Sequence, residues 1–232
     1  MADGIGDPPV TMTDDTLVSV LENRLGALLM ARRTGPLLPD AEAEMVAISR
    51  TLTRTMPPRP PRCVLMAGLP GSGKTTLSRA LVARGFVRLC PDEEMHRRHG
   101  VYGVDFPRGT FPTLERPVLE DVAAELREHL QAGRDVVVDH GFWTPEDRNR
   151  WRSIATDAGA APLLVYLAAS HDELWSRINK RNEAHAHDPN SIYFSESDLQ
   201  RYRRRFVPPG SDETHLTYSG DPAVVLAALD RR

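Results

Sequence analysis

The stretch Cys63-Val64-Leu65-Met66-Ala67-Gly68-Leu69-Pro70-Gly71-Ser72-Gly73-Lys74-Thr75-Thr76 decides how this 232-residue chain is read. Its first five residues are uniformly apolar, as in a strand covered on both faces. The next eight satisfy G-x-x-x-x-G-K-[ST] at every specified position, and a chance match in a chain of this length is on the order of 1% at ordinary glycine frequencies. Glycines let successive backbone N–H groups turn toward a single anion, and the N-terminus of the helix that follows adds its positive dipole end. Lys74 is expected to reach the β- and γ-phosphates of a nucleoside triphosphate, ATP or GTP, in both a binding and a catalytic role. The Thr75 hydroxyl is expected to ligate Mg²⁺. Gly68, Leu69, Pro70, Gly71, Ser72, Gly73 and Thr76 complete the expected nucleotide-binding set.

Downstream of the loop, apolar strand-like runs alternate with helical patterns. Residues 86–90, 136–138 and 163–167 read as further strands, and 119–130 reads as a helix stopped by Gly133. Thr144-Pro145-Glu146-Asp147 supplies a cap, a first-turn proline and first-turn acids, and Ser170-His171-Asp172-Glu173 is a capping box. Strands separated by helices imply parallel strands with right-handed crossovers. The expected fold is therefore a three-layer α/β P-loop NTPase fold with a parallel sheet, plus an N-terminal helical extension.

Upstream, Pro57-Pro58-Arg59-Pro60-Pro61 cannot be helical and reads as a stiff connector. It divides the chain into a helical extension over 1–56, a linker over 57–61 and a main domain over 62–232. In the extension, Leu17, Leu21, Leu25 and Leu28 follow the cap candidates Thr13 and Asp14, and Met45, Ile48 and Leu52 follow Pro39-Asp40. Two amphipathic helices of this kind form either a hairpin or a surface for a partner, a homodimer through these helices being one form of it.

Bulk properties bound the partners. Net charge −3 and a pI near 6.2 speak against a grip on long nucleic acid, which calls for a basic excess. No basic n-region precedes an apolar run at the start, and the apolar stretch near 160–169 is too short to span a bilayer, so the expectation is a cytoplasmic protein with no membrane partner. Cys63 and Cys90 are too few and too far apart for a zinc site or a disulfide framework.

A phosphate loop alone does not distinguish kinase, switch and motor. No Asn-Lys-x-Asp guanine-reading motif is present, and Asp139 is followed by His140 rather than a glutamate. Both absences favour a kinase. Pro91-Asp92-Glu93 ends the second strand, where the ligand crevice of a parallel sheet lies, so Asp92 is placed to accept the proton of an attacking hydroxyl. It is equally placed to cap the next helix. Arg177 and Arg181, one turn apart, stand at the base of a lid read near 182–195 and can neutralise phosphoryl charge, or simply answer the helix dipole. His96, Arg97, Arg98, His99 and the 100–113 stretch, with Tyr102, Phe106 and Phe111, are read as lining an acceptor pocket together with His140, Phe142 and Trp143. The aromatics serve there either as wall or as packing. Arg201, Arg203, Arg204 and Arg205 point round more than half a helix; most are solvated, with one or two able to meet an acidic acceptor.

The run from Gly68 to Phe206 resembles the small AAA-type P-loop kinases, the group that includes the 5′-kinase domain of phage polynucleotide kinase, chloramphenicol phosphotransferase and the zeta toxins. The echoes are the phosphate loop, Pro91-Asp92-Glu93, the run from Val138 to Arg148, and the run from Leu174 to Arg181. The resemblance implies Asp92 as general base, Asp139 on the acceptor side, and Arg177 and Arg181 as lid arginines. His140 and the helical extension depart from the polynucleotide-kinase pattern and leave the acceptor open. The leading expectation is an enzyme that phosphorylates a hydroxyl of a small molecule such as an antibiotic, nucleoside or sugar-like compound, with antibiotic resistance one setting. A polynucleotide 5′-hydroxyl kinase and a nucleotide-dependent regulatory switch are the alternatives.

Overall fold

Cys63 to Ala67 form a strand because every one of these side chains is apolar and finds a core on its own side of the backbone. In the computed structural model, which describes residues 14–55, 59–184 and 193–231, all five are fully buried. Cys63, Leu65 and Ala67 enter one hydrophobic cluster, and Val64 and Met66 enter another on the opposite face. The strand, β1 (Arg62–Ala67), is central in a five-stranded, all-parallel sheet.

The chain divides into two compact units, Met1–Arg59 and Pro60–Arg232. The first holds α1 (Asp14–Thr34) and α2 (Pro39–Thr55), packed through Leu28, Ile48 and Leu52 and tied by Arg24 and Glu44. Thr13, a cap candidate, lies outside the described residues. The second unit continues with α3 (Lys74–Val82), β2 (Val87–Leu89), α4 (Pro91–His99), α5 (Phe111–Gln131), β3 (Val136–Val138), α6 (Pro145–Asp157), β4 (Ala161–Tyr166), α7 (His171–Ala184), α8 (Glu196–Arg205), β5 (Leu216–Thr217) and α9 (Pro222–Leu229). No helix among the described residues is long and apolar enough to cross a membrane.

Strand order is β2-β3-β1-β4-β5. Residues of α4, α5 and α6 cover one face, and those of α3 and α9 the other, giving three layers. The chain leaves β1 toward the β2 side, returns along β3 and then crosses to β4. The switch point therefore falls between β1 and β3, where ligands bind beyond the carboxyl ends of the strands.

The structure differs from the sequence expectation mainly around α5. The helix begins at Phe111 rather than near residue 119, so the 100–113 loop is shorter than expected and ends in one 3₁₀ turn over Arg108–Thr110. Pro112 in the first turn and Pro117 inside the helix mask the helical pattern. The first fits because an N–H there lacks a helical partner anyway, whereas the second removes an N–H from the ladder. Strand limits also shift: β2 omits Phe86, which turns into the core under α3, and β4 starts at Ala161. The caps read at Thr144 and Ser170 form as expected, and Ser195 adds another. Asp147 N–H donates to Thr144 Oγ1, and Ser170 with Glu173 and Ser195 with Asp198 complete reciprocal boxes.

The 207–217 segment is fastened by Arg148 of α6. This side chain is fully buried, and its Nε and Nη2 donate to Glu213 at 2.8 and 2.6 Å while Nη1 donates to the Val207 carbonyl at 2.9 Å. Arg152 reaches the same carboxylate at 2.9 Å. Glu213→Ala leaves a buried cation uncompensated and should cost about 3–5 kcal/mol, read as a lower urea midpoint. The hydrogen bond from Arg148 holds the Glu213 carboxyl below its ordinary range. The stabilisation is thus present above the unfolded pKa of about 4.3 and fades as pH falls through the lower folded value, and that part of the acid-side slope should vanish in the variant.

Candidate active site

The phosphate loop connects β1 to α3. Gly71 adopts φ 84°, and a β-carbon there would lie 3.0 Å from the Leu174 carbonyl oxygen of α7. The loop is equally tight against the end of β3: a β-carbon on Gly141 would stand 2.6 Å from the Gly68 carbonyl oxygen. The loop is thus clamped between α7 and the segment after β3. Leu69 anchors it from below, packed with Leu174, Ile178 and Leu199.

Within the loop, Lys74 Nζ donates to the Gly68 and Leu69 carbonyls, both at 3.0 Å, and burial lowers its pKa. The Ser72 hydroxyl oxygen is buried with no hydrogen-bond partner among the described residues. Thr75 and Thr76 are exposed at the start of α3. Arg177 stretches from α7 to the loop, donating to the Gly71 carbonyl at 3.3 Å. Arg181, a turn further on, has Nε and Nη2 buried without a partner among the described residues, and its guanidinium lies 5.3 Å from the centre of the Phe194 ring. Burial lowers its pKa, partly offset by Asp92. An unanswered buried guanidinium beside a glycine loop is built for an anion. The segment read as a lid, 182–195, falls mostly outside the described residues, at 185–192.

Asp92 occupies the first turn of α4 and is exposed. Cys90 holds the cap position and Asp92 makes no capping bond, so the capping alternative is set aside; Pro91 takes the first helical position instead. Asp92 makes no hydrogen bond or ion pair with another described residue.

Asp139 sits deeper than an acceptor-side role suggests. It is 3% exposed, and its Oδ2 accepts from Arg88 Nη2 at 2.6 Å and from the Ser78 hydroxyl at 2.9 Å. Ser78 Oγ also lies 3.1 Å from the Thr75 carbonyl, so the carboxylate braces the start of α3. Arg98 is similarly committed: it pairs with Glu94 and with Asp121 at 2.6 Å, tying α4 to α5. That spends its charge away from an acceptor. Arg97 pairs with Glu94 as well.

The aromatics divide the same way. Phe142 is fully buried against Trp151, and Tyr102, Phe106 and Phe111 cluster on one another and on the core. They are packing. His140 is half-buried, edge-on to Phe142, with its pKa lowered by burial. Trp143 meets Tyr202 at 4.7 Å between ring centres and carries the Arg205 guanidinium at 5.5 Å.

One residue that no local pattern singles out joins this group. Glu115, in the first turns of α5, places a carboxylate oxygen near Asp92 and His140, the three groups' ligand atoms all within 4.8 Å of one another. Its helix was itself masked by prolines. Arg148 and Glu213 were also missed, because nothing local pairs residues so far apart.

With the geometry in view, comparison with known proteins is direct. The sequence profile described as "AAA domain" matches residues 63–209. The chain belongs to that family. No curated protein matches it. Among solved structures, this AAA-domain chain is similar to a protein of Chloroflexus aurantiacus J-10-fl whose designation as a kinase is provisional, at 24% identity over 75% of this chain and 98% of that one, TM-score 0.60. It is also similar to the Mycobacterium tuberculosis APS kinase CysC solved with AMPPNP and APS, at 22% identity over 76% and 100%, TM-score 0.51. A Janibacter sugar kinase matches at 18% identity over 73% and 92%, TM-score 0.50. The fold is that of the small P-loop kinases.

Gly141→Ala tests the clamp. Either the Gly68 carbonyl or the added methyl must move, so overpacking should cost about 1–3 kcal/mol in thermal or urea unfolding and weaken AMPPNP binding measured by titration. Gly109→Ala, where nothing lies within 4 Å, is the control and should change neither.

Proposed function

We propose that this AAA-domain protein is a phosphotransferase that passes the γ-phosphoryl group of ATP or GTP to a hydroxyl of a small molecule. The observation that carries the reading is Arg181: two buried, unpartnered guanidinium nitrogens within electrostatic reach of Asp92 and Lys74. A loop that only bound nucleotide would need Lys74 and the loop amides. A lid-base arginine coupled to a free carboxylate suits a group in flight between donor and acceptor.

The chemistry follows from the residues. Loop amides and the Ser72 hydroxyl receive the phosphates, and Lys74 exchanges its two carbonyl partners for phosphate oxygens. Thr75, whose carbonyl is braced through Ser78 by Asp139, would offer its hydroxyl oxygen to Mg²⁺, a hard cation that takes oxygen ligands. The ion, when bound, would neutralise charge on the β- and γ-phosphates. Arg181 answers the charge on the transferring phosphoryl oxygens, and Arg177 steadies the loop. The acceptor oxygen forms a bond to γ-phosphorus as the bond to the β-bridging oxygen breaks. The hydroxyl proton passes to Asp92 and the nucleoside diphosphate leaves.

Arg181→Ala should lower kcat by about 10³-fold, the low end of the range for arginine fingers, with a smaller effect on nucleotide affinity, since its bond strengthens as charge shifts. A change confined to nucleotide KM would reduce it to a phosphate clamp.

Asp92→Asn should leave the melting temperature and AMPPNP Kd near those of the parent, because Asp92 is exposed and caps nothing. Loss of the base should appear in kcat, by about 10²- to 10⁴-fold. Normal turnover in this variant would move the base elsewhere.

A further inference from the structure

Asp92 does not stand alone at the acceptor end of the crevice. The first turns of α5 bring Glu115 beside it, and His140 from the end of β3 closes the group, with ligand atoms within 4.8 Å of one another. None of the three makes a hydrogen bond or ion pair with another described residue. Two carboxylates this close, one of them half-buried, repel each other and lack the donors that normally justify burying them.

The charges that act on Glu115 come from three helices. Asp92 on α4 and Asp147 on α6 are negative, and Arg205 on α8 is the positive group that offsets them. Lys74 and Arg181 lie toward the phosphate end, where nucleotide phosphates would consume their charge. His140 is kept neutral by burial. With nucleotide bound, the acceptor end therefore holds the Asp92 and Asp147 carboxylates and the Glu115 carboxyl group against one guanidinium, and that guanidinium already lies over Trp143. An anionic acceptor would meet repulsion there. A cation would relieve the carboxylate pair.

On the phosphotransferase reading, we propose that Glu115 is a specificity-determining residue: with Asp92 it holds a protonated amine adjacent to the acceptor hydroxyl, so the acceptor is an amino-alcohol, such as an amino sugar or aminocyclitol, and not a phosphate-bearing chain. Asp92 keeps its role toward the hydroxyl proton, while Glu115 takes the ammonium group and fixes which hydroxyl faces the γ-phosphate. The state of Glu115 without acceptor agrees with this geometry: burial, with help from Asp92 and Asp147, raises its pKa to about 7. An arriving ammonium group would return it to the charged form.

The test uses the full chain with Mg²⁺ and γ-labelled ATP on three probe sets: kanamycin and glucosamine, the same compounds N-acetylated, and 3′-phosphorylated dinucleotides with a free 5′-hydroxyl. Labelled product is expected from the free amines, with transfer to their N-acetylated forms at least about tenfold poorer, the size of effect that one lost charged contact produces. Glu115→Gln should raise acceptor KM by a similar factor, leave AMPPNP affinity unchanged and abolish the difference between free and acetylated amines. Equal transfer to acetylated acceptors, transfer only to the dinucleotides, or a Glu115→Gln variant that keeps the amine preference would each overturn the proposal. If AMPPNP binds yet no probe is labelled, the phosphotransferase reading fails on its own. Calorimetric titration of the same amines then decides the pair: binding lost in Glu115→Gln supports an ammonium site, and no binding overturns it. Tight Mn²⁺ or Zn²⁺ binding that both Glu115→Gln and His140→Ala abolish would also overturn it, in favour of a metal centre.

Discussion

The Gly68 carbonyl oxygen stands 2.6 Å from where the β-carbon of any other residue at 141 would be, and much of the molecule depends on that approach. It brings the segment after β3 against the phosphate loop at the switch point of the sheet. Asp139 can then reach Ser78 and Arg88, and His140 comes to lie beside Asp92. On the other side, α7 closes on Gly71 backbone to backbone, which puts Arg177 and Arg181 at the loop. A side chain at either contact would separate the groups that the chemistry needs together. The loop's shape is a consequence of the packing around it as much as of its own glycines.

Holding the loop in this way leaves a division of charge along the crevice. Lys74, Arg177 and Arg181 gather at the phosphate end, two of them on a single helix. Asp92, Glu115 and Asp147 gather at the other end, each from a different helix. Other arginines, among them Arg98, which the sequence places near an acceptor, are spent on structure. Arg98 ties α4 to α5, Arg148 holds the 207–217 segment, and Arg88 is locked to Asp139 and Glu93. Once these are subtracted, the acceptor end is acidic although the chain as a whole is near neutral. Net charge is therefore a poor guide to this pocket, and the pairing pattern is a good one.

Burial explains why so few of these charges are interchangeable. Arg148 is enclosed and survives there because Glu213 and the Val207 carbonyl answer it. Arg181 has nitrogens just as enclosed and unanswered, which marks it as waiting for a ligand. The same chemical group thus has a structural role in one case, and in the other the open donors on which the proposed function rests.

Local signals account for what was legible in the sequence. The phosphate loop, the two-sided burial of β1, the caps at Thr144, Ser170 and Ser195, and the parallel three-layer arrangement all follow from patterns a few residues long, because backbone turns, caps and periodic burial are short-range requirements. The places of Asp92 and Arg181 in the fold were legible for a related reason: each sits at a fixed offset from a strand or helix end. Three features were decided only in the tertiary structure: the partners of Asp139 and Arg98, the Arg148–Glu213 brace, and the convergence of Glu115 on Asp92 and His140. Each joins side chains from separate elements, and no local pattern records which distant side chain will neutralise a charge. At the start of α5 the local signal even pointed the wrong way, since Pro112 and Pro117 argue against the first helical turns, 111–118, that packing of Phe111, Leu114 and Val118 nonetheless holds in place. What a short window of sequence specifies is the conformation of the backbone; which charges meet is specified by the sheet that brings distant windows together.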